Sequence, residues 1–150
     1  MRYPAYVTQE DGALVVVFPD CGGCQTQTEK QVKLLATAKE ALAGWLEATL
    51  KAGDDVPMPR TRARAPRGGK LVWVPVAAQL AVKLLLRWAR REAGLTQADL
   101  AKRAGVSQQQ IAKMEDPDSN PTIDTLEKIA RALGLRLEVG LAESSKDVAA

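Results

Sequence analysis

The sequence predicts an α+β chain, with a strand-rich first half and a helical second half that ends in a strand. Three observations predict it. Ala13–Phe18 is a continuous β-branched run set behind the tight-turn pair Asp11-Gly12. From Val76 to Leu133 the pattern is helical throughout, punctuated by glycines and capping residues. Leu135, Leu137, Val139 and Leu141 then alternate with other residues, which is the period of a strand. A chain of 150 residues has room for one ordinary domain or two small ones.

The elements follow in order. Tyr3 to Thr8 forms a first strand, Glu10-Asp11-Gly12 turns it, and Ala13–Phe18 returns as a strand expected to be buried on both faces. Pro19 to Gly23 breaks that strand and Cys24 to Gln27 makes a third. Thr28 is the expected N-cap of a helix whose apolar positions are Val32, Leu35, Leu42, Leu46 and Leu50, with Ala36 and Ala43 alongside. Gly53 is placed to end it as a left-handed cap, and Pro57 and Pro59 close the segment. Residues 60–70 form a basic loop, and Leu71 to Val74 a fourth strand stopped by Pro75. Helices are expected near 76–93, 96–104, 107–115 and 122–133, and a strand at 135–141. This divides the chain into a β-β-β-α-β module at 1–75, a helical domain at 76–141 with its C-terminal strand, and a flexible tail at 142–150.

Composition narrows the function. Hydrophobic residues make up 46% of the chain but aromatics only 4%, so the core must be built from Leu, Val and Ala. No apolar run approaches the roughly 20 residues that span a bilayer, and the opening Met1-Arg2-Tyr3-Pro4 lacks a signal-peptide layout. A cytoplasmic location is expected. The absence of histidine excludes Ser-His-Asp and Cys-His catalysis within the chain. Cys21 and Cys24 make half a zinc site with nothing to complete it, so a tight turn with Cys24 as a buried thiol is expected instead. Charge is uneven: residues 1–59 carry a net −3 and residues 60–140 a net +7. The basic part is the natural partner of a polyanion. Within it, Arg60 to Lys70 holds five cations and no anion, which suits either a solvated loop or a contact with phosphates or an acidic partner.

The most informative stretch is Leu95 to Glu115. Thr96 caps a short helix, with Leu95, Ala98, Ala101 and Ala104 expected on its inner face. Gly105 supplies a sharp turn, Val106 anchors it, and Ser107 caps a second helix in which Ile111 and Met114 point inward. The outward positions of that helix are Gln108, Gln109 and Gln110, with Lys113 a turn later, and the cap Ser107 is counted with them among the residues expected to meet DNA. A glutamine amide can donate to N7 and accept from N6–H of adenine, and a recognition helix presents its first residues to base edges. Gln97, in the first turn of the preceding helix, is placed to meet a phosphate. Singly, each glutamine is an ordinary surface residue; the joint pattern of caps, turn glycine and exposed amides is what points to DNA.

This stretch resembles the helix-turn-helix of XRE/Cro-type transcription factors, closest over Ser107 to Glu115. The resemblance implies that Gln108 and Gln109 read bases and that Lys113 occupies a third contact position. The first module resembles the HicB antitoxin family through Tyr3-Pro4-Ala5, Asp11-Gly12, Phe18-Pro19-Asp20, Gly23-Cys24-x-Thr26, the segment from Ala38 to Leu46, and Pro57-x-Pro59. The likeness runs on through Trp73-Val-Pro75 to Ala132-Leu133-Gly134-x-Arg136-Leu137. A glycine usual after the Thr26-Gln27 pair is missing. That resemblance implies a partial RNase H-like module that binds and silences a small RNA-cleaving toxin, HicA, joined to a domain that represses its own operon. For the toxin contact the candidate regions are Phe18 to Cys24, with Phe18, Pro19 and Asp20 singled out, and the exposed face of the helix expected at 28–51; no catalytic residue, metal or cofactor is expected.

Two other functions fit the same modules. A metal-dependent nuclease would need clustered carboxylates, for which Glu10, Asp11, Asp20 and Glu40 are the candidates. A repressor could also use its first module to sense a ligand. The strand at 135–141 is unstable alone, so it is expected to pair with its copy in a second chain. The dimer so formed could extend to a tetramer through the N-terminal sheet.

Overall fold

The structure, a computed structural model, describes residues 1–142, so the expected tail lies outside the described residues from 143 onward. The chain forms two compact units, Met1–Ala77 and a second that begins at Ala78. Their element order is β-β-β-α-β followed by helices, as expected.

The first unit is a four-stranded sheet with one long helix. Its strands are β1 (Arg2–Glu10), β2 (Ala13–Val17), β3 (Gln25–Thr28) and β4 (Lys70–Pro75), in the order β3-β2-β1-β4 with every pair antiparallel. Glu10 pairs with Ala13, which leaves Asp11-Gly12 as a two-residue hairpin turn with both residues at positive φ (47° and 83°). This is the geometry for which Asp-Gly is selected. Tyr3, Ala5 and Val7 of β1, Val16 of β2, and Val72 and Val74 of β4 are buried. The helix α1 (Leu34–Ala52) adds Leu34, Ala38, Leu42, Leu46 and Leu50 to that core, a strict repeat of four. Each leucine so buried contributes about 1.5–3 kcal/mol.

Several expectations for this unit are corrected. Thr28 is the last residue of β3 rather than a helix cap, and a short 3₁₀ turn at Gln31–Lys33 precedes α1. Val32 falls in that turn and is 92% exposed, because the helix starts two residues later and its buried stripe runs from Leu34 instead. β2 is not buried on both faces: Val16 is covered but Val17 is exposed, since α1 supplies core on one side only. Cys21 is buried along with Cys24. Gly53 does cap α1 in the left-handed conformation, φ 80°.

The second unit holds α2 (Ala78–Glu92), α3 (Gln97–Ala104), α4 (Gln108–Glu115) and α5 (Ile123–Ala132). Leu100, Ala101 and Ala104 of α3 pack with Ile111 and Met114 of α4 and Leu126 and Ile129 of α5. Leu100, not Ala98, is the inward residue of the first α3 turn; Ala98 is exposed. Residues 135–141 form no ladder among the described residues, as a strand needs a partner. Nor do their apolar side chains share one environment. Leu137 packs on the core of this unit, while Leu135, Val139 and Leu141 are exposed.

Candidate nucleic-acid interface

The helix-turn-helix is made by two short helices whose starts are fixed by reciprocal caps. At α3 the Thr96 hydroxyl accepts from Asp99 N–H (3.1 Å), and the Asp99 carboxylate accepts from Thr96 N–H (3.0 Å) and the Thr96 hydroxyl (2.6 Å). These bonds, the hydroxyl's first, hold the Asp99 carboxyl below its ordinary range. At α4 the Ser107 hydroxyl accepts from Gln110 N–H (3.1 Å), while Gln110 Oε1 accepts from Ser107 N–H (3.0 Å). Eight-residue helices are marginal alone, so these caps and the shared core decide that they form. Between them Gly105 ends α3 at φ 62°, a conformation that costs glycine little. Val106 beside it packs on the core.

Behind the helices lies a polar clasp that sequence reasoning missed. Arg90 of α2 donates through Nε to Glu115 Oε1 (2.6 Å) and through Nη2 to Oε2 (2.9 Å), and its Nη1 donates to the Leu95 carbonyl (2.7 Å). Both side chains are buried. Gln97 Nε2 donates to Glu115 Oε2 (3.1 Å), so the carboxylate at the end of α4 gathers α2 and the start of α3. Lys83, also buried, donates its ammonium to the Pro117 and Ser119 carbonyls (2.5 Å each) and holds the turn after α4. A glutamate on the apolar stripe of α4 was the available signal, since Glu115 stands four residues after Ile111.

With this frame in place the six residues expected to meet DNA fall into different positions. Gln108, Gln109 and Lys113 are exposed and make no side-chain bond among the described residues. Gln110 and Ser107 are engaged with each other. Gln110 has spent its Oε1 on the cap, whereas a bidentate pair with adenine requires both amide atoms. Gln97 gives one amide hydrogen to Glu115 and keeps a second that can be offered to a phosphate.

In the first unit, Phe18 is only 1% exposed and belongs to the core, which corrects its expectation as a contact residue. Pro19 is half-buried. Asp20 accepts from Arg60 N–H (3.0 Å) and forms an ion pair with its guanidinium. The segment from Phe18 to Cys24 is knitted by its own backbone: Phe18 N–H to Cys24 O, Cys21 N–H to Phe18 O, and Cys24 N–H to Cys21 O. Trp45 Nε1 adds a bond to the Gly22 carbonyl (3.1 Å). Burial, reinforced by Cys24 and Asp20, pushes the Cys21 thiol up to about 12, and burial pushes Cys24 up to about 11. Among the described residues no group of three or more Cys, Asp or Glu side chains is placed to hold a metal ion. No helix there is long and apolar enough to cross a membrane.

Comparison with known proteins agrees with this division. A family model described as "HicB_like antitoxin of bacterial toxin-antitoxin system" matches residues 3–78, and a helix-turn-helix model matches residues 86–139. The chain belongs to the HicB-like antitoxin family. It is 32% identical over 142 residues to Antitoxin HicB 1 of Photorhabdus laumondii, covering 94% of this chain and 87% of that one. It is 29% identical over 140 residues to Antitoxin HicB of Escherichia coli K12, covering 93% and 98%. Among solved structures it is similar to a chain of the "HicA3 and HicB3 toxin-antitoxin complex" at 27% identity, covering 51% of this chain and 99% of that one with a TM-score of 0.46. Within the HicB-like family this chain thus couples an antitoxin module to a helix-turn-helix DNA-binding domain.

Proposed function

We propose that the chain represses its own operon as a dimer and neutralises a small RNA-cleaving toxin of the HicA type, without catalysis of its own. The observation that carries the DNA reading is the pair of free amides, Gln108 and Gln109, at the start of a capped helix whose other end is locked by Glu115. They read bases, Lys113 takes a base or phosphate one turn on, and the second hydrogen of Gln97 meets a phosphate. Titrating the DNA upstream of the gene with wild type and with Gln108→Ala/Gln109→Ala at two salt concentrations tests it. Tight sequence-selective binding should be lost in the variant while a salt-dependent component stays in both. Equal, weak binding by both proteins would remove the recognition helix from the account.

The second copy is expected on the exposed side of 135–141, where Leu135, Val139 and Leu141 stand in solvent and no ladder is formed among the described residues. Two copies paired there would set recognition helices about 34–36 Å apart, one turn of DNA. Leu137 is the wrong probe because it packs on its own core. Val139→Lys/Leu141→Lys should shift the protein to monomer in sedimentation, and an unchanged dimer would move the seam elsewhere.

For the toxin we place the contact on the rim formed by Pro19 and Gly22–Gly23, with Phe18 and Asp20 as its scaffold. A side chain added at Gly22 meets nothing within 4 Å, so Gly22→Arg keeps the fold and should weaken toxin binding. Cleavage of RNA or DNA by the pure protein with Mg²⁺ or Mn²⁺ would contradict the non-enzymatic reading.

A further inference from the structure

The connection from α1 to β4, residues 53–69, contains neither helix nor strand. Irregular connections longer than about 12–15 residues are uncommon inside a compact unit and are usually functional or mobile. This one is held at both ends. Val56 is buried, the Tyr3 hydroxyl donates to the Pro57 carbonyl (2.7 Å), and Asp20 binds Arg60 through both backbone and side chain. At the far end Gly69 N–H donates to the Pro66 carbonyl (3.0 Å), and Lys70 pairs with Val7. A Cβ at Gly69 would lie 2.8 Å from Pro66 Cγ and 2.9 Å from the Val7 carbonyl, so only glycine lets the loop seat this closely on the sheet.

What the anchored loop presents is charge. Arg60 is taken by Asp20, but Arg62, Arg64, Arg67 and Lys70 are exposed and none has an ion pair among the described residues. Ala63 turns inward between outward-facing Arg62 and Arg64. Two residues of extended chain span roughly 6.6 Å, comparable to the spacing of neighbouring phosphates on one nucleic-acid strand.

We propose that the loop Arg60–Lys70 is a second DNA contact of this protein, gripping duplex phosphates without reading sequence. It rests on the DNA-binding reading above and extends it to the antitoxin module. The composition of the loop selects the partner. Beyond the cations it holds only Thr61, Ala63, Ala65, Pro66, Gly68 and Gly69. With no aromatic side chain it has no platform on which single-stranded bases could stack. With no large apolar or aromatic side chain it lacks the packed anchors that accompany arginine at the centre of protein interfaces. Arginine forks without apolar anchors suit a partner recognised by charge and shape, the backbone of a duplex. Because the loop is anchored on both sides of Arg62 and Arg64, only the short stretch between the anchors needs ordering on binding.

The test is Arg62→Ala/Arg64→Ala/Arg67→Ala in the full chain, with anisotropy measured on the duplex upstream of its gene and on a scrambled duplex across a salt series. Removing three phosphate contacts per protomer should make the slope of log K against log salt shallower by about 2.7 for each protomer bound, so that between 50 and 200 mM wild-type affinity falls about 40-fold more per bound protomer than the variant's. Preference for the cognate duplex should persist. Gln108→Ala/Gln109→Ala should do the reverse, losing preference and keeping the slope, so failure of the helix reading and failure of the loop reading are distinguishable. Equal slopes for wild type and the triple variant overturn the proposal. A loss confined to single-stranded RNA, or to binding of the toxin, overturns it in favour of those partners.

Discussion

Arg90 and Glu115 face each other in the second unit as a buried, two-pronged ion pair, with donor–acceptor distances of 2.6 and 2.9 Å. Neither residue is placed to touch DNA, yet between them they fix where α4 ends against α2. Breaking such a pair leaves one charge buried without its partner, at a cost of about 3–5 kcal/mol. Glu115→Ala should therefore lower the unfolding free energy of the helical unit by about that amount in urea denaturation. Arg90→Met combined with Glu115→Leu should recover much of it. A loss no larger than that of an exposed ion pair would mean that the clasp contributes little.

Gln110 and its neighbour Gln109 should behave differently although they are adjacent and identical. Gln110→Ala removes the return half of the α4 capping box and should cost about 1 kcal/mol of stability. The base preference of the protein should not change. Gln109→Ala should leave the melting temperature unmoved and alter the preference. Paired thermal melts and binding to a library of single-base operator variants separate the two. An altered preference in Gln110→Ala would return that residue to the base edges.

Phe18 should register as core. Phe18→Ala empties a fully enclosed site and is expected to cost about 3–5 kcal/mol, whereas Phe18→Leu should cost far less. Toxin affinity of Phe18→Leu, measured by calorimetry, should stay close to wild type. A large affinity loss in that stable variant would place the ring in the interface after all.

The two thiols give a pH dependence. In the unfolded chain they ionise near 9, but in the folded chain burial holds Cys24 up to about 11 and Cys21 up to about 12. The folded state keeps protons that the unfolded state releases, so stability is full below about 9 and falls as pH rises from there through the folded values. Cys21→Ser/Cys24→Ser should flatten that alkaline decline in a series of melts. A thiol reagent at neutral pH should react with the native protein only as fast as it unfolds.

Periodicity made much of this visible beforehand. The caps at Thr96 and Ser107, the turn at Gly105 and the hairpin at Asp11-Gly12 depend on residues within a few positions of one another, and local sequence carries such signals in full. The start of α1 is hidden from local sequence because Thr28 is a good cap by type, while its place in β3 is set by pairing with Leu14 across the sheet. The Arg90–Glu115 clasp and the Asp20–Arg60 anchor join residues 25 and 40 positions apart. A charged residue reads as surface until the fold shows its partner. The type of Gln110 suits both a cap and a base, and its hydrogen bond to Ser107 becomes visible only in the fold.

The register of the sheet also bears on how the chain is made. β1 is an inner strand, flanked by β2 and by β4, and Arg2 pairs with Pro75. The first strand of this unit must therefore wait for its last. At about 5–20 residues per second, β1 and β2 stand with an open edge for roughly 3–12 s before Lys70 is made. One edge of β1 is unpaired for that interval, and closing a contact so distant in sequence is slow in itself. The helical unit has a shorter delay, since Lys83 of α2 waits only for the Pro117 and Ser119 carbonyls, 34 and 36 positions on. Until β4 docks, the inner strand β1 of the antitoxin module keeps one open edge, the feature most prone to misassociation in a nascent sheet.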